Sequence, residues 1–363
     1  MTRVQNILFS SLRVALFGEQ IDQALFTSLS EEEWAALFQI SGRQGVLAIV
    51  YDAVAQLPKE LQPPRNIKLK WALSTELIEE RYKKQENLII QLGAFYAQHG
   101  IRMMLLKGYG LSIYYPVPKH RECGDVDIWL YGEQKRADKL LHDIKGVDID
   151  EDKHHHTTFV LNGIMIENHY DFLNVHAHPS NKQIEAELQR LSRKESSHTI
   201  KVNDQIVHIP SANLNALFIL RHAAAHFSAA EINIRHLLDW MLFIKNNCDA
   251  IDWQWLCNVA THQNMHKFLN ALNAISIDYF GLDRSLIPAF ERDLALERRV
   301  FNDILSPEFA EKMPEKGFIK RLIFRYRRWW ANRWKHRIVY REGLLRTFLV
   351  QIYSHLLKPK SLK

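Results

Sequence analysis

The sequence predicts an α+β protein, with a small β-sheet flanked by helical N-terminal and C-terminal regions. Apolar residues recur at helical spacing over residues 1–98 and again after residue 210. Between these regions, short apolar runs are bounded by glycine, proline and asparagine turns, which is typical of strands. A chain of 363 residues with 47% hydrophobic content is long enough for two or three structural units and a sizeable core.

The same pattern divides the chain into four predicted regions. Residues 1–98 form a helical N-terminal region, and residues 99–209 form an α/β core. Residues 210–315 form a helical C-terminal domain, and residues 316–363 form a basic, aromatic-rich amphipathic helical tail. The chemistry is expected in the core, because the N-terminal region carries no catalytic pattern.

The N-terminal region is predicted to contain a capped helix and a long helix. Ser30 can cap the first, and Glu33 follows three residues later, as in a capping box. After the break at Pro63-Pro64, a helix is predicted from Ile67 to His99. Its apolar side is expected to consist of Leu73, Leu77, Ile78, Tyr82, Leu88, Ile89, Leu92 and Phe95.

The core begins with a strand, a glycine turn and a short helix. Residues 101–106 are mostly apolar and lead into Gly108 and Gly110, while residues 111–115 are predicted to be helical and end at Pro116. Free backbone N–H groups at such a turn can bind phosphate, and Lys107 adds a positive charge.

Two carboxylates follow in Gly124-Asp125-Val126-Asp127. Residues i and i+2 of a strand share a face, so these carboxylates are expected to lie side by side and to repel. A Mg²⁺ ion is the natural partner, and phosphoryl or nucleotidyl transfer is the usual chemistry. An isolated Asp-x-Asp is more often a solvated strand end, so the prediction depends on its surroundings.

A β-hairpin is predicted around Asn162-Gly163, since both residues tolerate the positive φ of a type I′ turn. In its second strand, Glu167, His169 and Asp171 share one face. Glu167 therefore supplies the third acid that a two-metal site needs.

Together these residues resemble the nucleotidyltransferase superfamily related to DNA polymerase beta. More narrowly, they are similar to the bacterial nucleotidyltransferase family 5. The likeness covers residues 100–172 and includes Leu105-Leu106-Lys107-Gly108, Tyr115-Pro116, Arg121, Gly124-Asp125-Val126-Asp127 and Glu167-Asn168-His169. A looser likeness extends over the helical flanks and includes His222, His226 and Leu238-Asp239.

The resemblance implies a small mixed nucleotidyltransferase sheet and a set of site residues. Asp125, Asp127 and Glu167 would hold two Mg²⁺ ions, with Mn²⁺ as a substitute, and would be the catalytic acids. The turn facing the triphosphate of the NTP would contain Lys107, Gly108, Tyr109, Gly110 and Ser112. This turn lacks the Gly-Ser pair usual in the wider superfamily, which makes its grip on phosphate less certain.

The implied reaction is transfer of a nucleoside monophosphate from an NTP such as ATP to a hydroxyl-type acceptor, with release of pyrophosphate. The motifs do not identify the acceptor, which can be a small molecule, a saccharide, a peptide or RNA. One alternative is a non-catalytic protein of the same fold that binds a polyanion or a membrane surface. Another is a metal-dependent phosphohydrolase, which would use similar acids.

Several polar residues near this chemistry have two interpretations. Arg121 either contacts a phosphate or neutralises a carboxylate, and His169 is either a proton acceptor or structural. His222 and His226 share a helical face and are expected to pack or to contact the acceptor rather than to bind zinc. Asp239 is expected in an ion pair, with contact to the acceptor as the alternative. His154-His155-His156 is predicted to be a solvated start of a strand and a poor metal site.

Other segments give the remaining elements. Helices are predicted over residues 133–144 and 184–191, the latter polar, and a small hairpin over residues 198–210. Ser211 is a candidate cap for the helix carrying His222, and another helix covers residues 234–244.

The tail carries the charge of the whole chain. Residues 316–363 contain fourteen Lys and Arg residues and one acid, while the remainder is acidic, so the net charge of +6 comes from this segment. One apolar stripe is predicted from Ile319, Leu322, Ile323, Tyr326 and Trp330, and a second from Leu345, Phe348, Leu349, Ile352 and Leu356. The tail could dock and provide a basic rim to the nucleotide cleft, bind an anionic membrane surface, bind RNA, or be only a solvated basic face.

The composition predicts a cytoplasmic protein. Three scattered cysteines cannot form a disulfide framework or a zinc site. The N-terminus shows no signal peptide, and no apolar run has the length of a membrane span. Peripheral association with the inner membrane face through the tail is compatible with this pattern.

Overall fold

A mixed β-sheet lies at the centre of the computed structural model, which describes residues 1–203 and 205–349, without the side chain of residue 318. Within these residues the sheet has six strands in the order β3-β4-β2-β1-β6-β5. The strands are β1 Met104–Leu105, β2 Val126–Trp129, β3 His156–Leu161, β4 Ile164–His169, β5 His198–Val202 and β6 Gln205–Ile209.

Strand pairing makes the sheet mixed. β1 is antiparallel to β2 and parallel to β6, while β2 is parallel to β4. β3 and β4 form the predicted hairpin, in which Asn162 and Gly163 have φ angles of 52° and 75°. The hairpin of β5 and β6 extends the same sheet through β6, and the predicted α+β fold with helical flanks is confirmed.

In the sequence, helices precede the sheet, follow it and connect several of its strands. Their bounds are α1 Arg3–Phe17, α2 Glu31–Arg43, α3 Leu47–Val54, α4 Arg65–Gln98, α5 Lys107–Ser112, α6 Gln134–Lys145, α7 Pro179–Lys194, α8 Ala212–Ala229, α9 Ile234–Asn247, α10 Trp253–His262, α11 His266–Phe280, α12 Leu294–Leu305 and α13 Phe318–Val339. The predicted caps are present, because Ser30 and Glu33 form a capping box and Ser211 accepts a hydrogen bond from the Leu214 N–H.

The long helix α4 joins two hydrophobic cores. Its first turns bury Ile67 and Trp71 in a helical core, and its last turns bury Leu88, Ile89, Leu92 and Tyr96 against the sheet. The expectation that Leu73 and Leu77 are buried is wrong, since they are 51% and 65% exposed. The apolar face is interrupted at mid-helix because α4 passes there from one core to the other.

Two predicted helix boundaries also need correction. The short helix α5 begins at Lys107, before the predicted residue 111, and includes a kink at Gly108. The helix expected over residues 184–191 is longer, and it is not wholly polar, because Ile184, Leu188 and Leu191 are buried.

The tail is half docked. The C-terminal half of α13 packs on the body and buries Asn332, Lys335 and His336, and Lys335 pairs with buried Asp303 at 2.6 Å. The N-terminal half leaves its predicted apolar stripe in solvent, with 50–69% exposure of Ile319, Leu322, Ile323, Tyr326 and Trp330. The stripe residues Ile352 and Leu356 lie outside the described residues. In the part of the chain that is described, no helix is long and apolar enough to cross a membrane.

One buried histidine ties the N-terminal helices to the loop before β2. His120 places Nδ1 2.8 Å from the Asp52 carboxylate of α3 and Nε2 2.7 Å from the Glu79 carboxylate of α4. Burial lowers the pKa of His120, but these two hydrogen bonds and charges raise it above the ordinary value. Only the protonated ring donates to both carboxylates at once.

We expect His120→Gln to lose most stability at acidic pH. A histidine whose folded pKa is raised contributes stability fully below its unfolded pKa of about 6.5, and the contribution is lost as pH rises through the folded pKa. The difference in unfolding free energy between wild type and variant should therefore shrink from about pH 6 to about pH 9. Urea denaturation at both pH values measures it; a difference that grows with pH contradicts the linkage.

Candidate functional site

Two acidic side chains face each other on neighbouring parallel strands. In the register of β2 and β4, Asp127 is the partner of Glu167. Directly paired residues point to the same face of a sheet, so both carboxylates project to one side. The side chain of Asp127 is 1% exposed and that of Glu167 is 18% exposed. Two carboxylates so placed need positive partners, because burial and repulsion both oppose their charges.

Lys107 is the first positive partner. Its Nζ lies 2.9 Å from Asp127 Oδ1 and 3.8 Å from Glu167 Oε2. The turn that delivers it is unusual, since Lys107 has φ of 27° and Gly108 has φ of 44°. Burial lowers the pKa of Lys107, but the charges of Asp127, Glu167 and Asp125 raise it above the ordinary value. Lys107 therefore stays charged and holds the acid pair together.

His169, at the end of β4, is the second partner. Its Nε2 lies 3.1 Å from Asp127 Oδ1 and 3.5 Å from Glu167 Oε2. Burial opposes protonation, but hydrogen bonds to Asp127 and Glu167 raise the pKa of His169 to about 8. Burial also raises the pKa of Glu167, yet the bond from His169 and the charge of Lys107 lower it to about 2. His169 is thus a charged partner of both acids near neutral pH.

One oxygen of the acid pair has no partner. Asp127 Oδ2 is buried and makes no hydrogen bond to any described residue. Gly108 lies beside it: a Cβ on Gly108 would meet Asp127 Oδ2 at 4.0 Å and the Asp125 carbonyl oxygen at 3.5 Å. A buried carboxylate oxygen without a donor is costly, and a hard cation would satisfy it. This orphan oxygen is the observation that makes the acids a fit for a divalent metal.

Asp125 stands at the edge of this group. It precedes β2, is half-buried, and lines the cavities on both sides of the acid pair. The loop that carries it is fixed by α4, since Arg81 and Gln85 both donate to the carbonyl oxygen of Gly124. In the described chain, two groups of three residues place possible ligand atoms within 4.8 Å of one another: Asp127, Glu167 and His169, and His155, His156 and His169. Asp125 belongs to neither group, so its part in metal binding stays a prediction.

A cavity of about 610 Å³ opens next to the acids. Lys107, Asp125, Glu167 and His169 line its floor, and α8 contributes His222 and His226. The tail closes another side with Arg325, Arg328, Trp329 and His336 of α13 and with Tyr340, which follows that helix. The basic tail thus borders the acid site, as one interpretation of the sequence expected.

Three histidines from α8 and α9 lie near the acids: His222 and His226 line this cavity, and with His236 they line a smaller one that also contains Asp125 and Asp127. The rings of His222 and His226 are 4.4 Å apart, and His236 lies 5.6 Å from His226. Burial and the nearby charge of Lys107 hold the pKa of His222 well below the usual range, and burial and Arg235 lower that of His236 to about 3. These rings are therefore neutral. His236 was missed by sequence reasoning, because no spacing links α9 to α8.

The expectation that Arg121 contacts phosphate needs correction. Its Nε and Nη2 donate to the two carboxylate oxygens of Asp239 at 2.9 and 2.7 Å, and Nη1 donates to the carbonyl oxygen of Glu122. Tyr115 also donates to Asp239 Oδ1, at 2.8 Å. Burial raises the pKa of Asp239, but Arg121 lowers it below the ordinary value. Arg121 therefore neutralises a carboxylate, which was its second interpretation, and Asp239 is in the ion pair that was expected for it.

Three residues of the predicted phosphate turn also point elsewhere. Tyr109 stacks on Tyr82 at 4.8 Å and donates to Glu86, on the far side of α5. Ser112 is fully buried and bonds to the Tyr109 carbonyl oxygen, and Gly110 packs against the backbone of Leu105. Of the predicted turn, Lys107 and Gly108 remain at the acid site, because α5 rotates the next residues into the core.

The prediction of a solvated strand start at His154-His155-His156 is wrong, because all three side chains line the cavity and His154 is half-buried. His156 is 7% exposed, and its register partner on β4 is His169. His155 is half-buried, and its ring lies 5.4 Å from that of His169. Burial and neighbouring charges hold the pKa of His155 well below the usual range, and burial lowers that of His156 to about 4. Both rings line the cavity.

Comparisons with known proteins identify a family for this chain. The model of a family described as uncharacterised nucleotidyltransferase matches residues 30–281, which is more than half of the chain. An antigenic nucleotidyltransferase-like protein from Paracoccidioides brasiliensis matches in structure with 12% identity and a TM-score of 0.32, over 44% of this chain and 75% of that chain. No curated protein matches the sequence.

Removing one member of the Arg121–Asp239 pair should destabilise the protein strongly. Asp239→Leu leaves a buried guanidinium without its counter-ion, which costs about 3–5 kcal/mol of unfolding free energy. Arg121→Met/Asp239→Leu removes both charges and should cost less than Asp239→Leu alone. Chemical denaturation measures both, with Tyr115→Phe as a control expected to lose about 1 kcal/mol. Equal losses for the single and double variants would show that the unpaired charge is not the cause.

Proposed function

Because the chain belongs to the family of uncharacterised nucleotidyltransferases, we propose that it is a metal-dependent enzyme that transfers a nucleoside monophosphate from an NTP to a hydroxyl-type acceptor. Pyrophosphate is the second product. The observation that carries this proposal is the pairing of Asp127 with Glu167, with a buried Asp127 oxygen that has no partner among the described residues. Such a pair is expensive to keep unless it binds a cation.

In this proposal, Asp125, Asp127 and Glu167 hold two Mg²⁺ ions, or Mn²⁺ in their place. Carboxylate oxygens are the ligands these hard cations prefer. When bound, the metals lower the pKa of the attacking hydroxyl and neutralise charge on the leaving pyrophosphate. His169 adds a hydrogen bond that fixes the orientation of Asp127.

Lys107 has a separate part in the proposal. Without metal it neutralises Asp127 and Glu167; with metal in place, its charge is available to the phosphates of the NTP. The cavity beside it is bordered by Arg325 and Arg328, whose charges suit a triphosphate. The neutral rings of His222, His226 and His236 then face the acceptor side. The acceptor itself can be a small molecule, a saccharide, a peptide or RNA.

The proposal is tested by calorimetry of NTP binding with and without Mg²⁺. We expect binding that needs the metal, and loss of binding or of pyrophosphate release by about a hundredfold or more in Asp125→Asn, Asp127→Asn and Glu167→Gln. Asp171→Asn is the matched control, since its side chain lines a different cavity on the same hairpin, and it should behave as wild type.

The outcomes separate the alternatives. No binding of any of the four NTPs, with or without metal, would overturn the catalytic proposal and favour a non-catalytic binder. Metal-dependent release of inorganic phosphate without an acceptor, in place of pyrophosphate, would indicate a phosphohydrolase. Neither outcome tests what the tail, residues 316–363, binds, because both concern the α/β core at residues 99–209.

A second proposal concerns the exposed half of α13, which we propose binds an anionic membrane surface. Five apolar side chains lie in solvent on one stripe, and Lys320 and Arg321 stand among them in the sequence. An amphipathic helix of this composition buries its apolar stripe at a lipid interface while its basic residues meet anionic head groups.

Vesicle flotation tests this surface. The full chain should bind vesicles containing phosphatidylglycerol and not neutral vesicles, and Ile319→Gln/Ile323→Gln should weaken binding about tenfold or more. Leu69→Gln, an exposed apolar position on α4, is the control and should have no effect. If the double variant binds vesicles as wild type does but single-stranded RNA competes for the protein, the basic face serves RNA instead.

A further inference from the structure

Three histidines converge at the strand start beside the acid site. β3 is antiparallel to β4, and the register places His156 opposite His169. The ring of His155, one residue earlier, lies 4.3 Å from the ring of His156. Each of the three offers a ring nitrogen, and these nitrogens lie within 4.8 Å of one another. His156 and His169 come from the two strands of one hairpin, so the register places their backbones side by side, and His155 directly precedes β3.

The distances suit a shared cation. His155 Nε2 and His156 Nδ1 are 3.2 Å apart. Two nitrogens that each lie about 2.0–2.1 Å from a tetrahedral zinc ion are separated by about 3.3–3.4 Å. His156 and His169 are 7% and 2% exposed, so neither ring is free to turn away into solvent. His169 offers a nitrogen within 4.8 Å of these two rings, so closing the set around one ion requires that ring to move closer.

Two of these rings, His155 and His156, have few hydrogen-bond partners outside the group itself. His155 Nδ1 is buried and has no hydrogen-bond partner in the described part of the chain. His155 and His156 therefore have each other as their nearest polar neighbours, with Glu167 at 3.6 Å from His156. Packing alone does not explain why three imidazoles share one polar spot at the wall of a cavity, whereas metal binding does.

We infer that His155, His156 and His169 bind one divalent cation of borderline hardness, such as Zn²⁺, next to the carboxylate site. Imidazole nitrogen suits Zn²⁺ and other late transition metals, while Mg²⁺ selects oxygen. Three protein ligands would leave a position open towards the cavity, where a water or a substrate group can bind. This site does not require that the proposed nucleotide transfer be correct.

The two groups of metal ligands are coupled through His169, which also contacts Asp127 at 3.1 Å. A cation bound by the histidines would compete with that contact. Zn²⁺ binding should therefore change the environment of the acid pair without using Asp125. This difference separates the histidine site from the carboxylate site.

Metal binding to the full-length protein tests the inference. After metal is removed with a chelator, Zn²⁺ affinity is measured by competition with a chromophoric chelator, and Co²⁺ gives a visible spectrum that reports nitrogen ligands. Wild type should bind one Zn²⁺. His155→Gln and His156→Gln should bind it about tenfold or more weakly, since each removes a ligand. His262→Gln, an exposed histidine on α10, should bind as wild type does.

Asp125→Asn distinguishes the two metal sites, and His155→Asn covers the case in which the glutamine variant misfolds. If Asp125→Asn keeps Zn²⁺ binding and the histidine variants, folded by circular dichroism, lose it, the histidine site is supported. If wild type binds no Zn²⁺, or if binding is lost in Asp125→Asn and kept in the histidine variants, the inference is overturned. Neither result bears on NTP binding with Mg²⁺, which is measured separately.

Discussion

The pairing of β2 with β4 is the constraint on which the rest of the site depends. It places Asp127 opposite Glu167 on one face of the sheet, in surroundings where neither charge is well solvated. The surrounding elements then have to supply positive charge. Lys107 comes from the turn after β1, and His169 comes from the end of β4 itself. The strained turn at Lys107 and Gly108 is understandable as the geometry that brings the ammonium group to the acids.

The helical flanks fix the position of the acidic residues and do not only cover the sheet. α4 fixes the loop before β2 through Arg81 and Gln85, which both donate to Gly124. α9 fixes the same loop from the other side through the buried Arg121–Asp239 pair. Because these contacts hold the residues that precede Asp125, the position of the acids is tied to both helical regions. The family match extends over both flanks, from residue 30 to residue 281.

Much of the fold could be predicted from local patterns. The capping box at Ser30 and Glu33, the turn at Asn162-Gly163 and the long helix after Pro64 depend on neighbouring residues, and all are present. The error in the long helix has a clear cause. Leu73 and Leu77 were expected to be buried from helical periodicity, but periodicity identifies a face and not the neighbour that covers it. Which face of a helix meets another element depends on the path of the whole chain.

For the site, the sequence by itself determined the two-residue spacing of Asp125 and Asp127 and the presence of Glu167 on a hairpin strand. Only the tertiary structure decided that His169 joins Asp127 and Glu167, that Arg121 is taken by Asp239, and that His155 and His156 face the cavity. The physical reason is separation along the chain. A spacing of two residues is set by the strand backbone, whereas Arg121 and Asp239 are 118 residues apart and meet only when α9 packs against the sheet.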